Sequence, residues 1–335
     1  METKRCSLFF LYFLCLPWIL FSDTNSSSTN IKEKYTKETI QFWDRTLRFG
    51  TTQQKKAVLE TIRDQKIEAA LDIVKDHLET ERNLTVKKIM IEALVTLKDR
   101  SSIPYLITLL KDNSLTRDIH IFAMNALGLL KSEKSGDVIL KFLDSPDIQL
   151  KETALRALGG IQYKPATPVV IKKLKEEENE RVRTEMILTL VNIESEKSQD
   201  TLISILTNEN EKSLNRQFAA TGLSRIKNER SFAILSQYIE RTDTAIKARI
   251  TEALGTLGNK KAAMILQECL KDDDDVIRYY AALSLGKLKI KDALEILKYK
   301  KDYDPELKVR KASEKAIKQI SGESDEHKGL GNTKN

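Results

Sequence analysis

The chain has 335 residues, 56 Lys+Arg against 49 Asp+Glu, and a formal net charge of +7. With 12 Gly, 6 Pro, 6% aromatic and 31% charged residues it reads as helix-rich and excludes collagen-like or hairpin-built organisation. No alternating run bounded by Asn-Gly or Asp-Gly turns occurs. The mild basic excess is interspersed with acids, so composition does not call for a nucleic-acid partner.

Residues 1–22 start with Lys4 and Arg5, continue through an uncharged run at 6–21 and exit at Ser22-Asp23-Thr24. A basic start, a short apolar run and a polar exit are the parts of a secretory signal peptide. The 16-residue run is shorter than the roughly 20 residues that span a bilayer. An exported protein is therefore expected, periplasmic, cell-envelope or secreted, with anchoring by an uncleaved segment as the alternative. No integral membrane domain is expected beyond that segment. Residues 23–42 read as a polar linker and the start of a cap, residues 43–320 as a repeat array, and residues 321–335 as a disordered polar tail.

The array shows when the chain is slid over itself. Ala126-Leu127-Gly128, Ala157-Leu158-Gly159 and Ala253-Leu254-Gly255 are strong copies of one motif, and weaker copies begin at Ala93, Thr189, Gly222, Ser284 and Ala316. The steps are 31–33 residues, a stacked-repeat period. A degenerate ninth copy around Val58–Ile62 suits an amino-terminal cap. The first position of each copy is small, the second is Leu or Ile, and the fifth is Leu or Ile. Apolar or small residues also stand three and, with one exception, seven positions earlier, completing one stripe of an α-helix. Each copy is therefore the second helix, B, of a pair. The first helix, A, is visible at Ile103–Leu110, Val169–Leu174, Thr201–Leu206, Ala262–Leu270 and Ala293–Leu297. Acidic or small polar residues precede B as helix-start signals. The expected fold is all-α: a right-handed α-solenoid of about eight to nine two-helix repeats of 31–33 residues.

Six residues before each start lies a basic column: Lys87, His120, Lys151, Arg183, Arg216, Lys247, Arg278 and Arg310. An apolar-basic dyad such as Val182-Arg183 or Val309-Arg310, followed by Ala-Leu-Gly-x-Leu/Ile, resembles bacterial HEAT-like repeats of the phycobilisome-lyase type. The resemblance covers about residues 52–320 and implies a solenoid whose B helices line the concave surface. Tetratricopeptide-like stacking is the alternative fold, although the Trp, Tyr and Pro placement of those units is absent.

The basic column reads as a ladder pairing with acids of neighbouring repeats, or as a cationic stripe for an anionic partner. Asp147, Glu180, Asp275 and Glu306, just before the basic residues on their own helices, suit the ladder. B-helix positions opposite the buried stripe carry Ile121, Phe122, Leu188, Phe218, Tyr279, Tyr280 and Leu283, read as a contact patch for a protein or peptide, or as gap fillers between repeats. Trp43 fits the cap. Asp272–Asp275 read as a solvated helix cap rather than a calcium loop. Three cysteines (Cys6, Cys15, Cys269) and three histidines (His77, His120, His327) are too scattered for a metal site, and no cofactor is expected. G-x-S-x-G, H-E-x-x-H and Gly-rich phosphate loops are missing. The expectation is a non-enzymatic binding or scaffolding solenoid; the alternative is a divergent lyase-like or glycosylase-like enzyme using the same groove.

Overall fold

The computed structural model describes residues 35–322, all α-helices, short 3-10 turns and connections, with no strand among the described residues. The expectations for residues 1–22, for the linker at 23–34 and for the tail beyond 322 lie outside the described residues. None of the described helices is long and apolar enough to cross a membrane.

Nine helix pairs follow in order. They are α1 (Lys37–Phe49) with α2 (Thr52–Asp64), α3 (Leu71–Leu78) with α4 (Leu84–Thr96), and α5 (Ile103–Lys111) with α6 (Arg117–Leu129). Next come α7 (Gly136–Leu140) with α8 (Ile148–Gly160), α9 (Thr167–Leu174) with α10 (Glu180–Ile193), and α11 (Gln199–Thr207) with α12 (Ser213–Ile226). The last are α13 (Glu229–Tyr238) with α14 (Thr244–Leu257), α15 (Ala263–Cys269) with α16 (Asp275–Leu288), and α17 (Leu294–Tyr303) with α18 (Leu307–Ser321). The degenerate first copy is thus a complete pair, and the solenoid architecture expected from the period is the one observed.

Capping explains where the B helices start. Asn83, Asp147, Asn179, Asp243 and Asp274 each accept backbone N–H bonds from the first turn of α4, α8, α10, α14 and α16. These bonds satisfy donors that have no partner inside the helix. The ends are equally regular. After each B helix one residue adopts a left-handed backbone: Lys66, Lys98, Lys131, Gln162, Glu194, Lys227, Gly258, Lys289 and Gly322. The following amide reaches back five residues, as from Asp99 to the Leu94 carbonyl at 2.9 Å and from Ser132 to that of Leu127 at 3.1 Å.

Each B helix packs on the B helix of the next repeat and on its own A helix. Leu94, Leu127, Leu158, Leu190, Leu223, Leu254 and Leu285, the second motif position, are all fully buried. The small first position lets neighbouring helices close on one another. A Cβ on Gly286 would stand 2.6 Å from Ala316 Cα, and one on Gly255 would stand 2.5 Å from Ser284 Cβ. The motif's glycine is therefore a requirement of helix–helix contact at these junctions. A second small column starts the A helices: Ala70, Ser102, Ser135, Ala166, Ser198, Ser231, Ala262 and Ala293, all buried. Trp43 is buried in α1, 5.4 Å from the Tyr35 ring, closing the first pair.

Candidate functional site

The basic column runs along the edge where A helices turn into B helices. Arg183 holds Glu211 at 2.6 Å, Lys247 holds Asp272 at 2.9 Å and Arg278 holds Asp304 at 2.9 Å. Lys151 stands 3.9 Å from Glu177, and Lys55 extends the column by one step to Glu81 at 2.6 Å. Every one of these acids belongs to the turn before the next B helix. Arg216 donates to the Leu206 carbonyl at 3.0 Å and the Tyr238 hydroxyl at 2.7 Å, with Asp243 at 3.8 Å. Arg310, in the last repeat, donates to the Asp304 and Pro305 carbonyls at 2.6 and 2.9 Å. From Lys151 to Arg278 the column's basic groups thus tie one repeat to the next rather than standing free for an anion.

The acids that precede B on the same helix have other partners. Asp147 meets Arg117 at 3.6 Å, Glu180 pairs with Lys212, and Asp275 pairs with Lys308. They form a second set of rungs between repeats. Within Asp272–Asp275, Asp272 pairs with Lys247 and Asp274 caps α16. No group of three His, Cys, Asp or Glu among the described residues is arranged to hold a metal ion. The described histidines are tied into the frame, His77 to Asp44 at 2.8 Å and His120 to the Asp112 carbonyl at 3.0 Å.

Burial pushes the carboxyls of Glu81, Glu211, Asp272 and Asp304 up, but bonds from their basic partners and from turn amides outweigh it and hold all four below the usual range. Glu185, on α10, goes the other way. Burial raises its carboxyl, Arg156 lowers it, and Glu152 raises it further, leaving it above the usual range.

The expected contact residues Ile121, Phe122, Leu188, Phe218, Tyr279, Tyr280 and Leu283 lie on α6, α10, α12 and α16, and all seven are half-buried. Phe122, Phe218, Tyr279, Tyr280 and Leu283 lean on the core while leaving part of their surface outside. The Tyr279 and Tyr280 rings meet edge-on at 5.3 Å. Arg249 of α14, ion-paired with Glu252, lies 6.0 Å from the Tyr280 ring centre. Lys88 of α4 stands 5.5 Å from the Phe122 ring. Between the aromatic positions α8 contributes Glu152, bound by Arg181 at 2.9 Å. The face is a mosaic of amphipathic rings and paired charges.

Larger exposed apolar side chains lie elsewhere: Phe42 and Phe49 on α1, Met264 on α15, and Tyr299 and Tyr303 on α17. Reading the B stripe alone did not single these out, because they stand on A helices, whose outer positions share no repeating pattern.

A model of HEAT repeats matches residues 136–224, 167–246, 205–286 and 234–318, together more than half of the chain. Deoxyhypusine hydroxylase-B of Oryza sativa subsp. japonica is 24% identical over 223 residues, 64% of this chain and 70% of that protein. Deoxyhypusine hydroxylase of Danio rerio is 24% identical over 230 residues, 59% of this chain and 74% of that one. A crystal structure of importin beta is 12% identical with a TM-score of 0.50, and the match covers 86% of this chain and 46% of the importin. That likeness shows the fold alone.

These relatives correct one expectation. The chain was expected not to be an enzyme because no catalytic motif occurs along the sequence, yet both curated relatives are enzymes by name. In a stacked array neighbouring side chains come from separate repeats, so a search for contiguous motifs has no power to exclude catalysis. The repeat pattern, the observed stack and the family match agree: the chain belongs to the HEAT-repeat family.

Proposed function

We propose that the chain is an exported binding solenoid that holds a protein or peptide across the B-helix face between α6 and α16. The observation carrying this reading is the set of non-repeating aromatic and apolar residues on that face, chiefly Tyr279, Tyr280 and Leu283 with Arg249 over the Tyr280 ring. Tyr gives large contact area at small entropic cost, and Tyr and Arg concentrate binding energy in protein interfaces. Alternating paired charges argue against a nucleic acid, which needs a continuous basic track. Export is supported by residues 1–22, with their basic start and apolar run.

The test is to place a photo-crosslinking side chain at Leu283 and identify what it captures, with and without Tyr279→Ala and Tyr280→Ala together. The reading expects a discrete partner whose capture is lost in the double variant. Unchanged capture removes the tyrosines from the interface. Fractionation with amino-terminal sequencing tests export: loss of residues up to about Ser22 is expected, and an intact Met1 in a membrane fraction replaces secretion by anchoring.

A second reading, catalysis on the same face, is favoured by the two hydroxylase relatives and by Glu185, a half-buried carboxyl held above the usual range. Incubation of a deoxyhypusine-bearing protein with the chain, dioxygen and a two-electron reductant, the second oxygen leaving as water, followed by mass measurement of the substrate, tests it. Gain of one oxygen supports catalysis, and an unchanged mass removes this substrate.

A further inference from the structure

The ladder breaks at two neighbouring junctions. Glu81, Glu177, Asp272 and Asp304 each stand two residues before the residue that caps the next B helix. The same place is Asn210 before α12 and Arg241 before α14, where Glu211 and Asp243 stand in as acids, but before α6 it is Ser114 and before α8 it is Ser145, with no acid among the described residues paired to the column in their stead. At the second break the column's basic group is also replaced, by His120, which bonds the Asp112 carbonyl instead. At the first break the cation remains. Lys87 has no carboxylate within ion-pair distance among the described residues; it donates to the Tyr105 hydroxyl at 2.8 Å. Asp112 is near, but its carboxylate is turned onto the Ser114 amide at 2.9 Å and hydroxyl at 2.6 Å.

The apolar stripe opens at the same two junctions. The residue seven before each motif is buried to 1% or less at Val86, Val182, Asn215, Ile246, Ile277 and Val309. Ile119 and Leu150 alone in that column are half-exposed. Of all consecutive B helices among the described residues, α4 and α6 are the least closely packed on one another. A cleft of about 300 Å³ lies there, walled by Leu84, Ile91, Leu115, Ile119 and Phe122, with Lys87, Lys88 and the Ser114-bound Asp112 at its polar side. A second, separate cleft of about 670 Å³, lined by Leu150, Lys111, Lys141 and Asp144, lies at the next junction.

We propose that this cleft binds an acidic peptide, with a carboxylate taking the place of the missing ladder acid on Lys87 and an adjacent apolar side chain covering Ile119. This rests on the reading of the chain as a peptide-binding solenoid and gives the peptide its chemistry. Charge complementarity selects the occupant: the two lysines at the first cleft have no ion-pair partner among the described residues, whereas the column's cations at the Arg183, Lys247 and Arg278 junctions do. Apolar walls beside the cations favour a peptide over a bare anion.

The probe is a fluorescein-labelled Leu-Asp-Glu-Ile-Leu peptide, compared with its Asn-Gln twin by fluorescence anisotropy. The parent protein is expected to bind the acidic form about tenfold more tightly, and less so at high salt. Lys87→Gln is expected to remove that preference. Ser114→Glu is the decisive variant: its own carboxylate completes the ladder, so it is expected to raise the melting temperature and abolish peptide binding together. A folded Ser114→Glu protein that binds like the parent overturns the proposal. So does equal binding of the two peptides, or binding of neither. Loss of binding in Tyr279→Ala/Tyr280→Ala alone, with Lys87→Gln unaffected, overturns the cleft while leaving the B-helix face standing.

Discussion

Arg278 of one repeat donates to both carboxylate oxygens of Asp304 in the next, from Nε at 2.9 Å and Nη2 at 3.1 Å. The Asp304 side chain is fully buried and that of Arg278 is 8% exposed. Arg278 also donates to the Asp272 and Asp273 carbonyls at 3.0 and 2.8 Å, joining three backbone segments through one guanidinium. Asp304→Ala leaves that cation buried without its partner and is expected to cost about 3–5 kcal/mol in urea denaturation. The double variant Arg278→Met/Asp304→Leu is expected to cost less than Asp304→Ala, since the buried guanidinium is then gone and only Lys300, 3.2 Å from Asp304 and 15% exposed, loses its partner.

The same rungs set the response to acid. Asp304, Asp272, Glu211 and Glu81 have folded-state carboxyls below their ordinary values, so each contributes stability that is fully present above the unfolded value. That contribution is lost as pH falls through the folded value. The thermal midpoint is expected to be insensitive to these groups at neutral pH and to drop below about pH 4, where unfolded Asp and Glu begin to take up protons. Asp272→Asn, lacking one of these carboxyls, is expected to start lower and to lose less on acidification.

Seven of the nine left-handed caps are not glycine, and five of those are Lys. Left-handed backbone costs an L-residue about 1–2 kcal/mol. Lys131→Gly, at φ 49°, is expected to stabilise the protein by up to about 1 kcal/mol, because glycine's greater freedom when unfolded offsets part of the gain. Gly258→Lys is expected to do the reverse, as open space surrounds Gly258 and only its φ of 86° is strained by a side chain. Paired melting curves check both signs.

At the B–B seam, Gly286→Val is expected to cost about 1–3 kcal/mol, since even a Cβ meets Ala316 Cα at 2.6 Å. Gly128→Ala is expected to cost less than Gly286→Val, because its Cβ would meet Ala157 Cα at 3.3 Å, a contact relieved when the helix backbone gives by a few tenths of an ångström. A melting-temperature series along these seam glycines reports how tightly each junction is closed.

The B helices were legible because five positions of one stripe recur with the period, and Leu254 or Ala253 serves the same contact in every copy. The basic column was legible as a ladder, but its partners were not. Asp147 and Asp275 share a helix with the basic residue, and that proximity points to them. The observed partners Glu177, Asp272 and Asp304 lie 25–26 residues further on, brought close only by stacking. The caps at Lys98 and Lys131 escaped notice because glycine is the ordinary sign of a left-handed helix end. Ser114 and Ser145 became informative only when the acids at equivalent places were known. That the proposed contact residues stand on B helices follows from the repeat, yet the partial burial of Tyr279 and Tyr280 is a property of the neighbouring repeats that no single copy encodes.

The central claim is that function lies on the B-helix face. Photo-crosslinkers placed singly at Phe122, Leu188, Phe218 and Tyr280 sample four repeats of that face. Met264 and Tyr299, 80% and 60% exposed on A helices, are the controls. Crosslinks to one partner from the B-helix positions and none from the controls are predicted. Crosslinks confined to Met264 or Tyr299 would contradict the account and move the binding surface to the opposite side of the stack.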